Sequence, residues 1–257
     1  MTKILEAKNI VHKYDEKEVL KNISIEVEEK EFLGVIGPNG SGKTTLLKVL
    51  SRGIKQTSGE ILFKGKNILT LRTKYLATNI AIVPQEEAII FPFTVFEIVM
   101  MGRAPYIRRF SWETRSDIDI AEKSMKLADV LHLKNRLINE LSSGERQRAI
   151  IARGLAQKPK VLLLDEPTSH LDINHQIEIF NLLKRLNEEE LITIVVVSHD
   201  INLASKYCRR LILLKNGKIF KQGNVNKVVT KQNIKNVYSI DIKLIKNPET
   251  NTPNILL

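Results

Sequence analysis

The octet Gly37-Pro38-Asn39-Gly40-Ser41-Gly42-Lys43-Thr44 follows the apolar run FLGVI and precedes the helix-forming segment TTLLKVLS. That order constrains the fold more than any other feature of the chain. A loop that wraps backbone N–H groups around phosphates must leave a buried strand and enter a helix, and its glycines permit the tight path. Lys43 is then placed to reach the β and γ oxygens of a nucleotide, Thr44 offers a hydroxyl to magnesium, and Thr45 continues into the helix. A glycine turn serving only the fold has no need of the Lys-Thr pair.

Four apolar, β-branched runs end abruptly in a polar residue. FLGVIG enters the glycine loop, NIAIVP reaches Gln85, VLLLD stops at Asp165, and LITIVVVSH reaches His199. Short continuous runs of this kind suit buried strands of a parallel sheet covered by helices on both faces. Ligands of such sheets bind at the carboxyl ends of the strands, so the four polar endings are expected along one edge.

The texture changes twice along the chain. Before the glycine loop and just after its helix, ILEAKNIVHKY, KNISIEVEE and GEILFKGKNI alternate like antiparallel strands. Between Glu86 and about Lys158 the pattern becomes amphipathic and helical, as in SDIDIAEKSMKLADVL. The expected organisation is a single α/β domain over 1–257. A parallel core with its antiparallel β subdomain occupies 1–85 and 159–230, a helical subdomain is inserted at 86–158, and 231–257 forms a small appendage. In that appendage IDIKLI reads as a strand and NPETNTPN as turns.

VLLLDEP supplies a second piece of chemistry. Asp165 at a strand end can hold magnesium through water, and Glu166 beside it can orient and deprotonate an attacking water. An Asp-Glu pair after an apolar strand is usually a solvated strand end, but beside a phosphate loop it reads as a hydrolytic site. His199 closes its strand where a γ-phosphate would lie, while His12, His132 and His175 read as satisfied structural histidines. Tyr14 is either packing or the flat partner an adenine requires.

LSSGERQRAIIARGLA, from Leu141, opens a helix with Ser142 and, three residues on, Glu145, the spacing of a capping box. The same helix start, with Ser143 and Gly144 in its first turn, is also a seat for phosphate, because free N–H groups and a partial positive charge gather there.

Taken in order, these residues resemble the ATP-binding subunit of an ABC transporter, over nearly the whole chain. GPNGSGKTT corresponds to the Walker A motif, Gln85 to the Q-loop, LSSGE to the signature motif and VLLLDEP to Walker B. Ser169 to Asp172 resemble the D-loop, His199 the switch histidine, and Tyr14 the adenine-stacking aromatic. The resemblance implies a P-loop ABC cassette that hydrolyses ATP with Mg2+, with Gln85 among the catalytic and metal-associated residues. It also implies that two copies sandwich two ATP molecules head to tail, so the helix beginning at Ser142 serves the γ-phosphate held by the other copy. Two departures stand out: Ser143 and Glu145 replace the glycine and glutamine of the commoner LSGGQ, and His170 replaces a small D-loop residue.

TVFEIVMMGRAPY, SHLDINHQ and the tail YSIDIKLIKNPETNTP further resemble the ATPase subunits of importers for iron–siderophore complexes, haem and cobalamin. The partners implied are a second copy, membrane permease subunits and, indirectly, a substrate-binding protein, at the cytoplasmic face of the membrane. The apolar stretch Glu86 to Tyr106, with Phe91, Phe93 and Phe96, reads either as core or as a docking surface for the permease.

Composition narrows the rivals. Forty Lys+Arg against 29 Asp+Glu give a net charge of +11, which admits nucleic acid as a partner. The excess is scattered lysine, however, and no second cassette or long coiled-coil insertion accompanies it, so no nucleic acid is expected. A P-loop kinase would leave Glu166 and the signature helix without work. A soluble ABC-type ATPase, as in iron–sulfur cluster assembly, shares every catalytic motif and remains the alternative. The single cysteine, Cys208, excludes an internal disulfide and suits a reducing compartment. The N-terminus alternates like a strand and lacks the apolar core of a signal peptide. AIIFPFTVFEIVMM is broken by Pro92 and Glu97, and LITIVVV is too short for the ~18 residues of a membrane span.

Overall fold

The computed structural model describes residues 2–85, 89–107 and 111–256. Its first elements are β1 (Lys3–Tyr14), β2 (Lys17–Glu28), β3 (Phe32–Ile36), α1 (Lys43–Leu50), β4 (Ser58–Phe63) and β5 (Lys66–Asn67). Next come α2 (Thr73–Ala77), β6 (Ile80–Val83), α3 (Val95–Met101), α4 (Arg115–Leu127) and α5 (Ser143–Ala156). They are followed by β7 (Val161–Asp165), α6 (Ile173–Glu188), β8 (Thr193–Val197), α7 (Ile201–Tyr207), β9 (Arg210–Lys215) and β10 (Lys218–Asn224). The last are α8 (Val225–Val228), α9 (Lys231–Tyr238), β11 (Lys243–Lys246) and β12 (Pro253–Leu256).

Two compact units share these elements. One takes the chain up to Leu71, Leu164–Glu166 and everything from Thr193 on; the other takes Arg72–Leu163 and Pro167–Ile192. Their limits differ from the expected insertion at 86–158, because α2, β6 and α6 group with the helical segments. Residues 86–88, where that insertion was expected to begin, lie outside the described residues.

In the first unit, β2-β1-β4-β5 form an antiparallel sheet whose alternating sequences bury one face, with Leu5, Ile10, Ile23, Val27 and Ile61 fully covered. A second sheet runs β10-β9-β3-β8, with the end of β7 beside β8. β3 lies parallel to both β8 and β9, and every residue of β3 and β8 is buried, as continuous apolar runs dictate. Of the four runs expected in a parallel sheet, FLGVIG, NIAIVP, VLLLD and LITIVVVSH, the structure gives β3, β6, β7 and β8; β9 is not among them. RLILLKNGKIF holds both arms of a hairpin: β9 and β10 are joined through Asn216 and Gly217, both at positive φ, as a tight hairpin turn requires. β9 is at once a hairpin arm and a parallel core strand.

The expected appendage, 231–257, opens with a helix, α9, and α8 lies just before it. α8 and α9 bury Val225, Val228, Ile234 and Val237. IDIKLI narrows to β11, and part of NPETNTPN is strand, since Pro253 and Asn254 begin β12 opposite Lys246 and Ile245. Asn202 of α7 clamps this hairpin: its side chain accepts from the Ile255 N–H at 2.7 Å and donates to the Ile255 carbonyl at 3.1 Å.

In the second unit, α3, α4 and α5 gather around a buried charge. The Arg103 guanidinium donates to Asp117 at 3.0 Å and to the Ala156 carbonyl at 2.7 Å, and stacks 3.7 Å above the Tyr106 ring. Asp117 also closes a capping box with Thr114 at the start of α4, so one carboxylate starts a helix and neutralises the buried arginine. These hydrogen bonds hold its pKa below the ordinary 3.8, Thr114 contributing most. Among the described residues no helix is long and apolar enough to cross a membrane.

Candidate functional site

β3 ends in the loop Gly37–Gly42, and the chain geometry there admits only glycine at two points. Gly37 has φ +154°, and a Cβ on it would lie 2.5 Å from the Leu214 carbonyl oxygen and 2.8 Å from Ser41 Oγ. Gly42, at φ +100°, is the N-cap of α1 and provides no side-chain cap, so the amides at the start of this helix keep their capacity for a ligand. Pro38 is half-buried, Asn39 and Gly40 are exposed, and Ser41 is buried with no hydrogen-bond partner for its hydroxyl. An orphaned hydroxyl beside uncapped amides fits an anionic guest.

Lys43 is buried, and its ammonium donates to the carbonyls of Gly37 at 2.9 Å and Pro38 at 3.2 Å. Burial pushes its pKa down from the ordinary 10.5, against the opposing pull of Glu166 and Asp165. Thr44 donates its hydroxyl to Asp165 Oδ1 at 3.0 Å. Burial moves the Asp165 carboxyl upward from 3.8, although the Thr44 hydrogen bond works the other way. A hydroxyl and a carboxylate side by side make the hard oxygen donor set that Mg2+ accepts.

Glu166 completes the cluster. Its Oε1 lies 3.9 Å from Lys43 Nζ and 2.5 Å from His199 Nε2. Glu166 sits at φ 48°, a left-handed conformation that costs a non-glycine residue about 1–3 kcal/mol, and its N–H donates to the Val197 carbonyl at 3.1 Å. The carboxylate is buried, and its backbone is held in place by the neighbouring strand. His199 is exposed, just past β8, and Asp200 behind it caps α7.

Tyr14, 45% exposed at the end of β1, stands edge-on to His12 with ring centroids 4.7 Å apart. His12 is buried but not satisfied: neither ring nitrogen has a hydrogen-bond partner, which corrects the expectation of a satisfied structural histidine. A residue that sequence reasoning missed is Tyr238 of α9. Burial pushes its phenol up to about 12, and the Gly37 amide lies near enough to favour the phenolate without reaching hydrogen-bond geometry. Its place in the tail, 201 residues from Gly37 in sequence, gave no signal (238 − 37).

The remaining expected residues belong to the second unit. Gln85 is exposed just after β6. Ser142 is the N-cap of α5, and the capping box is complete: Glu145 accepts from the Ser142 N–H and hydroxyl, both at 2.9 Å, and its own N–H donates to Ser142 Oγ at 3.3 Å. The Ser142 amide holds the Glu145 carboxyl below its ordinary 4.5. Ser143 is exposed and Gly144 buried. His170 stands at φ 62°, and Asp172 caps α6.

Residues 20–169 match the family model described as ABC transporter. The petrobactin import ATP-binding protein FpuC of Bacillus anthracis is 37% identical over 249 residues, covering 96% of this chain and 90% of that protein. The chain belongs to the ABC transporter family. Its ATP-binding proteins are ATPases coupled to transport, and the cassette carries that activity. Ferric enterobactin transport ATP-binding protein FepC of Escherichia coli K12 is likewise 37% identical, over 95% of the cassette and 90% of its own length. Among solved structures, an inward-facing ABC transporter of metal-chelate type superposes with a TM-score of 0.87 at 27% identity, covering 99% of the cassette and 97% of that chain. A dimeric bacterial ABC transporter cassette, MJ0796, superposes at 0.75 with 33% identity over 86% and 98% of the two chains.

Proposed function

We propose that the cassette energises import of a metal chelate, an iron–siderophore complex before haem or cobalamin, through a separate membrane permease. Two copies act together at the cytoplasmic face of the membrane, indirectly served by a substrate-binding protein. The observation that carries the catalytic half is the cluster in which Glu166 Oε1 contacts His199 Nε2 and faces Lys43 Nζ, next to the Thr44–Asp165 pair. In this reading Gly37 to Thr45 cradle the triphosphate and Tyr14 stacks on adenine. Thr44 and Asp165 would hold Mg2+, which when bound offsets phosphate charge, and Gln85 is assigned to the metal by the family resemblance alone. Glu166 takes a proton from the attacking water, and His199, released from Glu166, donates to the γ-phosphate. Ser142 to Glu145 of the partner copy close over the same phosphate.

The choice of cargo is supported by relatives whose names specify petrobactin, ferric enterobactin, iron(3+)-hydroxamate and cobalamin. The division of labour assigns catalysis to 1–85 and 159–230 and permease contact to the helical 86–158. There Ile90 and Phe91 are 83% and 66% exposed, whereas Phe93 and Phe96 are half-buried. Reconstitution with the permease tests the reading. ATPase activity should rise with a binding protein loaded with ferric siderophore, and a flat response across siderophores, haem and cobalamin would overturn it.

A further inference from the structure

Gly144 invites a second question, because its backbone is ordinary helix and its conformation does not demand glycine. Its surroundings do. A Cβ built on Gly144 would meet the His175 ring at 2.4 Å from Cδ2, 2.9 Å from Cγ and 3.2 Å from Nε2. Contacts under 3.0 Å are not tolerated, so a larger residue must displace the imidazole or the first turn of α5.

The imidazole is not free to yield. Its Nδ1 lies 2.8 Å from Asp172 Oδ2, and the other oxygen of the same carboxylate accepts the His175 N–H at 2.9 Å. Asp172 is both the N-cap of α6 and the last residue of the D-loop segment Ser169–Asp172. The bonds to His175 hold its carboxyl below the ordinary 3.8. One turn along both helices, Arg148 donates to Glu178 at 2.7 Å and fixes the same pairing. His175 is 32% exposed, so it is neither core filler nor solvated decoration.

We infer that His175 is a positioning residue: a spacer, locked by Asp172, that sets where the N-terminal amides of α5 stand relative to the D-loop. Glycine at 144 is then required by a side chain of the same copy, in addition to any crowding of a phosphate. The sequence reading of His175 as purely structural is thereby extended, since the element it supports is the one offered to the partner's nucleotide. The functional consequence rests on the proposed role of Ser142–Glu145; the steric lock does not.

The test is a cycle of Gly144→Ala, His175→Ala and the double variant, each in full-length protein carrying Glu166→Gln to hold ATP. Thermal stability, binding of a fluorescent ATP analogue to the single copy, and the ATP concentration giving half-maximal dimer by mass are measured. His175→Ala should leave single-copy nucleotide binding and the melting temperature near the parent and raise the half-maximal ATP about tenfold. Gly144→Ala should lower the melting temperature and weaken dimer formation about 10²-fold, the cost of a misplacement on the ångström scale. The double variant should recover most of the lost stability and part of the dimer. If it melts and dimerises no better than Gly144→Ala alone, the inference is overturned. Failure of the underlying signature-motif reading looks different: Ser142→Ala and Gly144→Ala would dimerise like the parent while the stability coupling persisted, and His175 would then position nothing that meets a nucleotide.

Discussion

Two helix starts in this cassette are built in opposite ways. α1 begins at Gly42 with no side-chain cap and no acidic residue in its first turn, and a buried Lys43 stands at its head. α5 begins at Ser142 with a full capping box, and Glu145 puts a carboxylate in its first turn. The first leaves its amides unsatisfied and concentrates positive charge, an arrangement that is unfavourable until an anion arrives. The second satisfies two of its amides, those of Ser142 and Glu145, and carries negative charge, so its capping box is complete before any ligand. The difference teaches that a single copy can be expected to hold nucleotide on α1 alone, while α5 adds to a complex already formed.

The largest effect expected falls on chemistry rather than on either helix. Glu166→Gln should lower kcat by about 10² to 10⁴, the usual worth of a positioned base, while ATP still binds. Phosphate release and solution mass check it together, the latter through accumulation of an ATP-bound dimer. Normal turnover would remove Glu166 from its role. Next in size, Lys43→Ala should weaken ATP binding by about 10- to 10²-fold, since a charged hydrogen-bond donor is lost from the head of α1. Calorimetry on the monomer measures it. A loss confined to the dimer would break the contrast between the two helix starts.

Where the chain's function is local, the sequence was readable. Strand, glycine loop and helix lie within residues 32–50, and the capping box spans four residues, so spacing alone located both. Legibility failed where one element answers two demands or where partners are distant in sequence. β9 is not among the expected strands: it is both a hairpin arm with β10 and a parallel neighbour of β3, and its short apolar run LILL reports neither partner. α9 offers only eight residues of period, and Tyr238 meets Gly37 from the far end of the chain. His12 shows no sign in sequence of its two unpartnered nitrogens. His175 stands 31 residues from Gly144 (175 − 144), with no pattern to connect them, and only packing reveals why that glycine is there.

A smaller effect sharpens the comparison at α5. Glu145→Gln preserves the capping box, since glutamine fills the same role, but removes a negative charge from the turn proposed to meet phosphate. Dimer formation on ATP should therefore tighten by about two- to fivefold, the scale of one charge at a helix N-terminus. Titration of the Glu166→Gln dimer reads the shift, and weaker dimers would mean that the carboxylate contributes to the interface.

The smallest difference is in the acid response of the two starts, and its sign is opposite at each. Glu145 has a folded pKa below its ordinary 4.5, so the unfolded state binds protons more readily as pH falls. Its stabilising contribution is complete above about 4.5 and is lost as pH drops through the lowered folded value. Asp165 has a folded pKa above 3.8, so between 3.8 and that raised value the folded state holds the extra proton and acid stabilises it. Hydrogen exchange between pH 6 and 3 should then show the amides opening at Ser143–Glu145 before those following Gly42. Simultaneous opening would mean that burial of Asp165 and the exposed cap at Ser142 contribute equally to holding their helices, and the contrast between the two starts would reduce to ligand chemistry alone.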